Sequence, residues 1–277
     1  MTEAHAMSGS RVTAHADGRA SGTTISTESE HRMNEQHPRQ TILVGASHGT
    51  DNTEGQAIIR ELLRRAQAMR PSVQVVEAFV DVQQPSLVEV LAGLPADADV
   101  VIVPVLLTVG FHTQVDIAEA AAARPGTSVA APLGPDPRLS QLLWDRFLEA
   151  GGSADDGVVI AVAGSTAAAA VPRFHELREQ FNAIGGADAV LGYGAALDPR
   201  VPAAVQLARG AAGVRRGGGA QARRVSIASY LLTPGFFHDR VTEAGGDIVA
   251  APLGVDDRIA HIILERFDAV VPAAAPV

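Results

Sequence analysis

Three side chains in the first half of the chain, His48, Asp81 and His112, combine two imidazoles with a carboxylate. That donor set suits a borderline divalent metal, and three protein ligands leave coordination positions open for a substrate or water. A neutral imidazole also accepts a proton near neutral pH. Each residue has a structural alternative. His48 stands in the turn Gly45-Ala46-Ser47-His48-Gly49 and could cap a helix. Asp81 could be a turn former, and His112 could cap the helix that follows Gly110.

What distinguishes the trio is where the surrounding elements put it. Thr41–Val44 is a short apolar run entering the His48 turn. Ile58, Ile59, Leu62, Leu63, Ala66 and Met69 follow at helical spacing. Val73–Val80 reads as a second strand, and Ser86 caps a short helix reaching Leu91. Val100–Leu107 is almost continuously apolar, as a parallel strand covered on both faces must be. Ile117–Ala123 reads as helix, Ser128–Ala131 as strand, and a helix runs from Pro137 to about Ala150. Strand and helix alternate, so the expected fold class is α/β, with open parallel flavodoxin-like sheets flanked by helices. Ligands bind such sheets beyond the carboxyl ends of the strands. His48, Asp81 and His112 follow strands one, two and three, whose ends lie roughly 5 or 10 Å apart.

The second half repeats the first. Ala130-Ala131-Pro132-Leu133-Gly134 recurs as Ala250-Ala251-Pro252-Leu253-Gly254, and Asp136, Arg138, Leu142 and Phe147 recur as Asp256, Arg258, Ile262 and Phe267. Leu106-Leu107-Thr108-Val109-Gly110-Phe111 likewise matches Leu231-Leu232-Thr233-Pro234-Gly235-Phe236. The pattern is that of a duplicated domain. Aligned on it, His48 falls opposite Gly164, Asp81 near Ala195 and His112 opposite Phe237. The framework recurs without the trio, which places the chemistry in the first copy alone. The expected organisation is a disordered tail over residues 1–38, an α/β domain over 39–150 carrying the site, and a degenerate second α/β domain over 157–277. The tail contains no Leu, Phe, Trp or Tyr and cannot offset its ordering entropy. The Gly- and Arg-rich stretch Arg215–Arg224 reads as a solvated connector.

Composition narrows the alternatives. The 277 residues are 47% hydrophobic and 19% charged, with a formal charge of −9. That balance argues against duplex nucleic acid as a partner. Cysteine is absent, which excludes disulfides and thiolate metal sites. No apolar run is long enough to span a membrane and no signal core opens the chain, so a cytoplasmic location is expected.

Gly45-Ala46-Ser47-His48-Gly49, Phe79-Val80-Asp81 followed by Pro85-Ser86-Leu87, and Leu106–His112 followed by Asp116-Ile117 together resemble the sirohydrochlorin chelatases of the CbiX and SirB type. The resemblance covers about residues 41–150 well and the second copy more loosely. It implies an enzyme that inserts a divalent metal, Fe²⁺, Co²⁺ or Ni²⁺, into a tetrapyrrole for sirohaem or cobalamin synthesis. The metal is a substrate, and no organic cofactor is implied. His48 and His112 are then the metal-binding or proton-accepting pair. Members of the family often have Glu where this chain has the shorter Asp81. Asp116, one turn after His112, is either an orienting partner or a solvated helix-start acid.

The substrate's many carboxylates call for cationic contacts, expected at Arg200, Arg240 and the arginines of the Arg215–Arg224 loop, with His238 either facing the cleft between domains or lying on a helix surface. Arg138 and Arg258 recur in both copies and read as structural. His175 and His261 are assigned to solvent. A non-catalytic metal or tetrapyrrole carrier on the same fold is the alternative. A phosphatase using His48 is disfavoured, because the turn Ala46–Asn52 holds no Arg or Lys. The oligomeric expectation is a monomer or homodimer.

Overall fold

The computed structural model describes residues 40–108, 110–167, 169–215 and 224–271. The expected tail and most of the connector Arg215–Arg224 lie outside the described residues. Arg39–Val277 forms one compact unit.

Within it, β1 (Thr41–Ser47), β2 (Gln74–Phe79), β3 (Asp99–Pro104) and β4 (Thr127–Val129) form a parallel sheet in the order β2-β1-β3-β4. Four more strands, β5 (Gly157–Val162), β6 (Val190–Tyr193), β7 (Val225–Tyr230) and β8 (Ile248–Val249), form a second sheet in the order β6-β5-β7-β8. The helices α1 (Thr53–Met69), α2 (Leu87–Gly93), α3 (Phe111–Ala122) and α4 (Pro137–Glu149) alternate with the first four strands. The helices α5 (Ala170–Gly185), α6 (Val201–Arg215), α7 (Phe236–Thr242) and α8 (Asp257–Asp268) do the same in the second sheet. The α/β class and parallel sheets read from the periodicity are therefore present.

Local sequence accounts for the elements. Asn52 accepts from the Gly55 N–H to start α1, whose Ile59, Leu62, Leu63 and Ala66 form one buried stripe. Ser86 and Glu89 make a reciprocal capping box at α2. Asp136 and Asp256 cap α4 and α8. α3 begins at Phe111, six residues before the start read from periodicity, because its first turn is capped only by Gly110 and is largely solvated.

The inner faces of both sheets share one core. Leu43, Val101, Leu139 and Phe147 of the first half pack in the same cluster as Val158, Ile160, Ile259 and Phe267 of the second. A buried Leu contributes about 1.5–3 kcal/mol, so this shared cluster fixes how the halves meet. Polar pairs across α4 and α8 are reciprocal. Arg138 donates to Glu265 at 2.6 and 2.7 Å, and Arg258 donates to Asp145 at 2.7 Å. Arg146 donates to the Leu253 carbonyl and Arg266 to the Leu133 carbonyl. The same contact made in both directions is the mark of a two-fold interface, here within one chain.

Strand register refines the alignment of the halves. The Asp81 N–H donates to the His48 carbonyl at 3.0 Å, and the Ala195 N–H donates to the Ala163 carbonyl at 2.8 Å. His48 thus stands opposite Ala163, one residue before the Gly164 expected from sequence. Gly49 and Gly164 are the true pair, with φ of 93° and 89°. His112 and Phe237 match as expected, each two residues after the N-cap glycine, Gly110 or Gly235.

Candidate functional site

His48 leaves the buried end of β1 and is solvent-exposed. Asp81, at the end of the neighbouring β2 crossing, is also exposed, and its Oδ1 accepts from the Val82 N–H at 2.8 Å. The main-chain bond from Asp81 to His48 holds the two residues side by side. The loop between them is tightly wound. Val82 has a φ of 60° and sits in a turn in which the Gln83 N–H donates to the Asp81 carbonyl at 2.6 Å. A β-branched residue in that region is strained. Ala196, with φ of 65°, repeats the turn in the second sheet, so the strain belongs to the fold rather than to the chemistry. The Gln83 side chain then accepts from the Thr50 N–H at 2.9 Å and ties this loop to the His48 turn.

His112 is exposed on the first turn of α3. Among the described residues no three His, Asp or Glu side chains form a group that could hold a metal ion. The structure therefore brings His48 and Asp81 onto adjacent strand ends without closing a three-donor cluster around His112. His112 stands eight residues beyond the end of β3 and belongs to α3 rather than to the strand end. Asp116 is exposed one turn further along α3.

A cleft of about 710 Å³ opens beside His48. Its walls come from the carboxyl ends of four strands, two in each sheet: Ser47–Thr50, Val105–Thr108, Val162–Ala163 and Tyr230–Thr233. The halves touch closely at its edge, where a side chain on Gly55 would press on the Pro234 carbonyl. The lining mixes eight aliphatic side chains with seven polar ones, so apolar walls carry polar groups as in a small-molecule site.

Two of those polar groups went unnoticed in the sequence. The Ser47 and Tyr230 hydroxyls are buried without a hydrogen-bond partner among the described residues. By register, Ser47 corresponds to Val162 and Tyr230 to Val105. Each half thus places a hydroxyl where the other has valine, and all four residues line the same cleft. Burial, reinforced by the negative charges of Asp136 and Glu176, pushes the Tyr230 phenol well above its ordinary range, so it stays protonated. Gly134 makes room for it, since a Cβ there would collide with the Tyr230 hydroxyl. The repeat itself was the available signal: comparing the halves one residue upstream of Leu231 pairs Tyr230 with an aliphatic residue.

Three of the expected substrate contacts lie apart from this cleft. His238 is half-buried on α7, with Nε2 3.4 Å from the Ala250 carbonyl. Arg240 is exposed and stacks over the Phe236 ring at 4.5 Å. Arg200 is exposed at the start of α6 and donates to the Gly194 carbonyl at 2.9 Å. None of the three lines the His48 cleft.

The CbiX family model matches residues 41–150. That segment is similar to the CbiX family. It is the half that carries His48, Asp81 and His112, and the resemblance read from those motifs holds there. The whole chain is similar in structure to SirB from Bacillus subtilis with Fe³⁺, at 18% identity and a TM-score of 0.66 over 83% of this chain and 94% of that one. It is also similar to the sirohydrochlorin chelatase SirB from Bacillus subtilis subspecies spizizenii in complex with cobalt, at 14% identity and a TM-score of 0.63 over 82% and 93%. A CbiX described as the terminal enzyme for biosynthesis of siroheme in denitrifying bacteria aligns at 18% identity and a TM-score of 0.59, over 84% and 100%. No curated protein matches. These likenesses establish a chelatase-like fold that continues past the CbiX half into the second sheet.

Proposed function

We propose that the chain is a metal chelatase that inserts a divalent ion, Fe²⁺ or Co²⁺, into a sirohydrochlorin-type tetrapyrrole. The observation that carries this reading is the placement of His48. It is an exposed imidazole at the rim of a cleft built from four strand ends, within the segment that matches CbiX. Solved structures similar to this chain include a SirB with Fe³⁺ and a sirohydrochlorin chelatase SirB in complex with cobalt.

The chemistry requires two things of the protein. The ion must be presented to the ring and then released, and the two protons on the ring nitrogens must leave as it enters. In this reading His48 and His112 present the ion and accept those protons. Asp81 balances the charge beside His48. An open donor set suits a metal that is cargo, because a closed four-ligand site would retain it. The second half supplies the facing wall of the cleft. The product enters sirohaem or cobalamin synthesis, and the protein works in the cytoplasm as a monomer or homodimer. Among the described residues no helix is long and apolar enough to cross a membrane.

The test is to mix the protein anaerobically with sirohydrochlorin and Co²⁺ or Fe²⁺ and follow the absorbance spectrum. Metallation faster than the protein-free control is expected, and its loss in His48→Ala and His112→Ala. Binding of the free ring without any acceleration would instead assign a tetrapyrrole carrier.

A further inference from the structure

A second cleft, of about 1010 Å³, lies beside α3 and meets the His48 cleft at Thr108. One wall is Gln114, Ile117 and Ala118 of α3; the opposite wall comes from the second half, at the start of α5. Most of the lining is Ala, Pro, Val and Ile, and Arg173 is the one charged residue among those described. It is half-buried. Its guanidinium donates to the Gly134 carbonyl at 3.5 Å, the outer limit of such a bond. No carboxylate of the described residues pairs with it. Several described arginines are placed otherwise: Arg65, Arg138, Arg224 and Arg258 each hold a carboxylate within 3.0 Å.

The fold does not require a cation here. The buried stripe of α5, Ala170, Phe174, Leu177 and Phe181, superposes in spacing on Gly55, Ile59, Leu62 and Ala66 of α1. Arg173 therefore takes the place that Ile58 holds in the first half, where the side chain packs against the shared core. A guanidinium set in an apolar wall without a counter-ion is poorly compensated, and its planar fork matches a carboxylate.

We propose that Arg173 binds a carboxylate side arm of the tetrapyrrole, so that the second half holds the substrate for chemistry performed by the first. The proposal rests on the chelatase reading for the identity of the ligand. It makes Arg173, rather than Arg200 or Arg240, the substrate-positioning arginine. Gln114 and Thr108 lie in the same lining and offer further hydrogen bonds to that arm.

The experiment compares wild type with Arg173→Ile, the residue of the sister position, and Arg173→Lys. Binding of metal-free sirohydrochlorin is read by quenching of its fluorescence, and insertion of Co²⁺ by steady-state absorbance. Arg173→Ile should raise Kd and KM by about 10-fold or more, as expected for loss of a charge-assisted pair. Its kcat should stay within about twofold and its melting temperature should be unchanged. Arg173→Lys should recover part of the loss, and added salt should weaken wild type more than Arg173→Ile. Equal Kd and KM in wild type and both variants would overturn the proposal while leaving the chelatase reading intact. A wild-type chain that binds the ring without metallating it, with Kd raised in Arg173→Ile, would keep the contact and sink the catalytic reading. No binding of the ring by wild type would sink both.

Discussion

Gly49 lies so close to Asp81 that a Cβ on the glycine would overlap the Asp81 carbonyl oxygen. Its φ of 93° is also one that L side chains rarely adopt. The His48 turn and the Asp81 loop therefore touch through bare backbone. Gly49→Ala must push the loop away and strain the turn, at a cost of about 1–3 kcal/mol. The expected result is a lower urea midpoint together with loss of metallation. Gly164→Ala makes the same collision with Ala195 in the second half and should cost similar stability while disturbing metallation less. Equal effects on metallation would show that the two turns serve the chemistry alike.

His48 and His112 are exposed, and substitutions at such surface positions change stability within about 0.5 kcal/mol. His48→Ala and His112→Ala should therefore melt with wild type. If each imidazole handles a ring proton or the ion, insertion falls by about 10² or more. Calorimetry beside the absorbance assay separates the two effects. An inactive variant that is also unfolded says nothing about proton transfer, so the unchanged melting curve is part of the expected result.

Much of this architecture could be read from residue patterns. The apolar run around β3 and the amphipathic stripe of α1 have strong periods, and Ser86 caps its helix as expected, Glu89 completing the box in the structure. Even the absence of the trio from the second half was legible. What escaped reading depends on contacts between distant segments. α3 hides its first turn because its N-cap is a glycine with no side-chain hydrogen bond and His112 to Asp116 carry no buried residue. His112 was therefore assigned to a strand end when it rides on a helix. Arg173 sits in an ordinary charged helix surface pattern, and only the placement of α5 across a cleft from α3 turns it into a cleft residue. Ser47 lay inside a quoted motif, but its burial without a partner is a property of the assembled strand ends.

The buried hydroxyls allow a stability test with an unusual sign. An unpaired buried polar group costs about 1–3 kcal/mol. Neither Ser47 nor Tyr230 recovers that cost through a protein partner among the described residues. Ser47→Ala and Tyr230→Phe should thus leave the urea midpoint unchanged or raise it, against the usual trend for core substitutions. If the hydroxyls face substrate in the loaded cleft, the same variants bind sirohydrochlorin more weakly. A fall in stability of more than about 1 kcal/mol would reveal a structural hydrogen bond instead.

Acid should part the two halves through the caps of α4 and α8. Asp256 is held below its ordinary value of 3.8 first by the hydrogen bond from Arg258, against the opposing effect of burial. At Asp136 burial acts most strongly and upward, yet the bonds from Arg138 and the charge of Arg266 outweigh it, and the net direction is again down. A carboxyl whose folded pKa is depressed stabilises the fold above its unfolded pKa and loses that contribution as pH falls through the folded value. The stability these caps contribute is therefore complete above about pH 4 and declines below the ordinary value of 3.8. Arg138 and Arg258 also reach across to Glu265 and Asp145, so protonation weakens helix start and interface together. Asp256→Asn keeps a capping oxygen but removes the charge. Its urea midpoint should lie below wild type at pH 6 and approach it at pH 3. A constant difference between the two pH values would show that the Asp256 charge contributes nothing, and that the cap acts through its hydrogen bond alone.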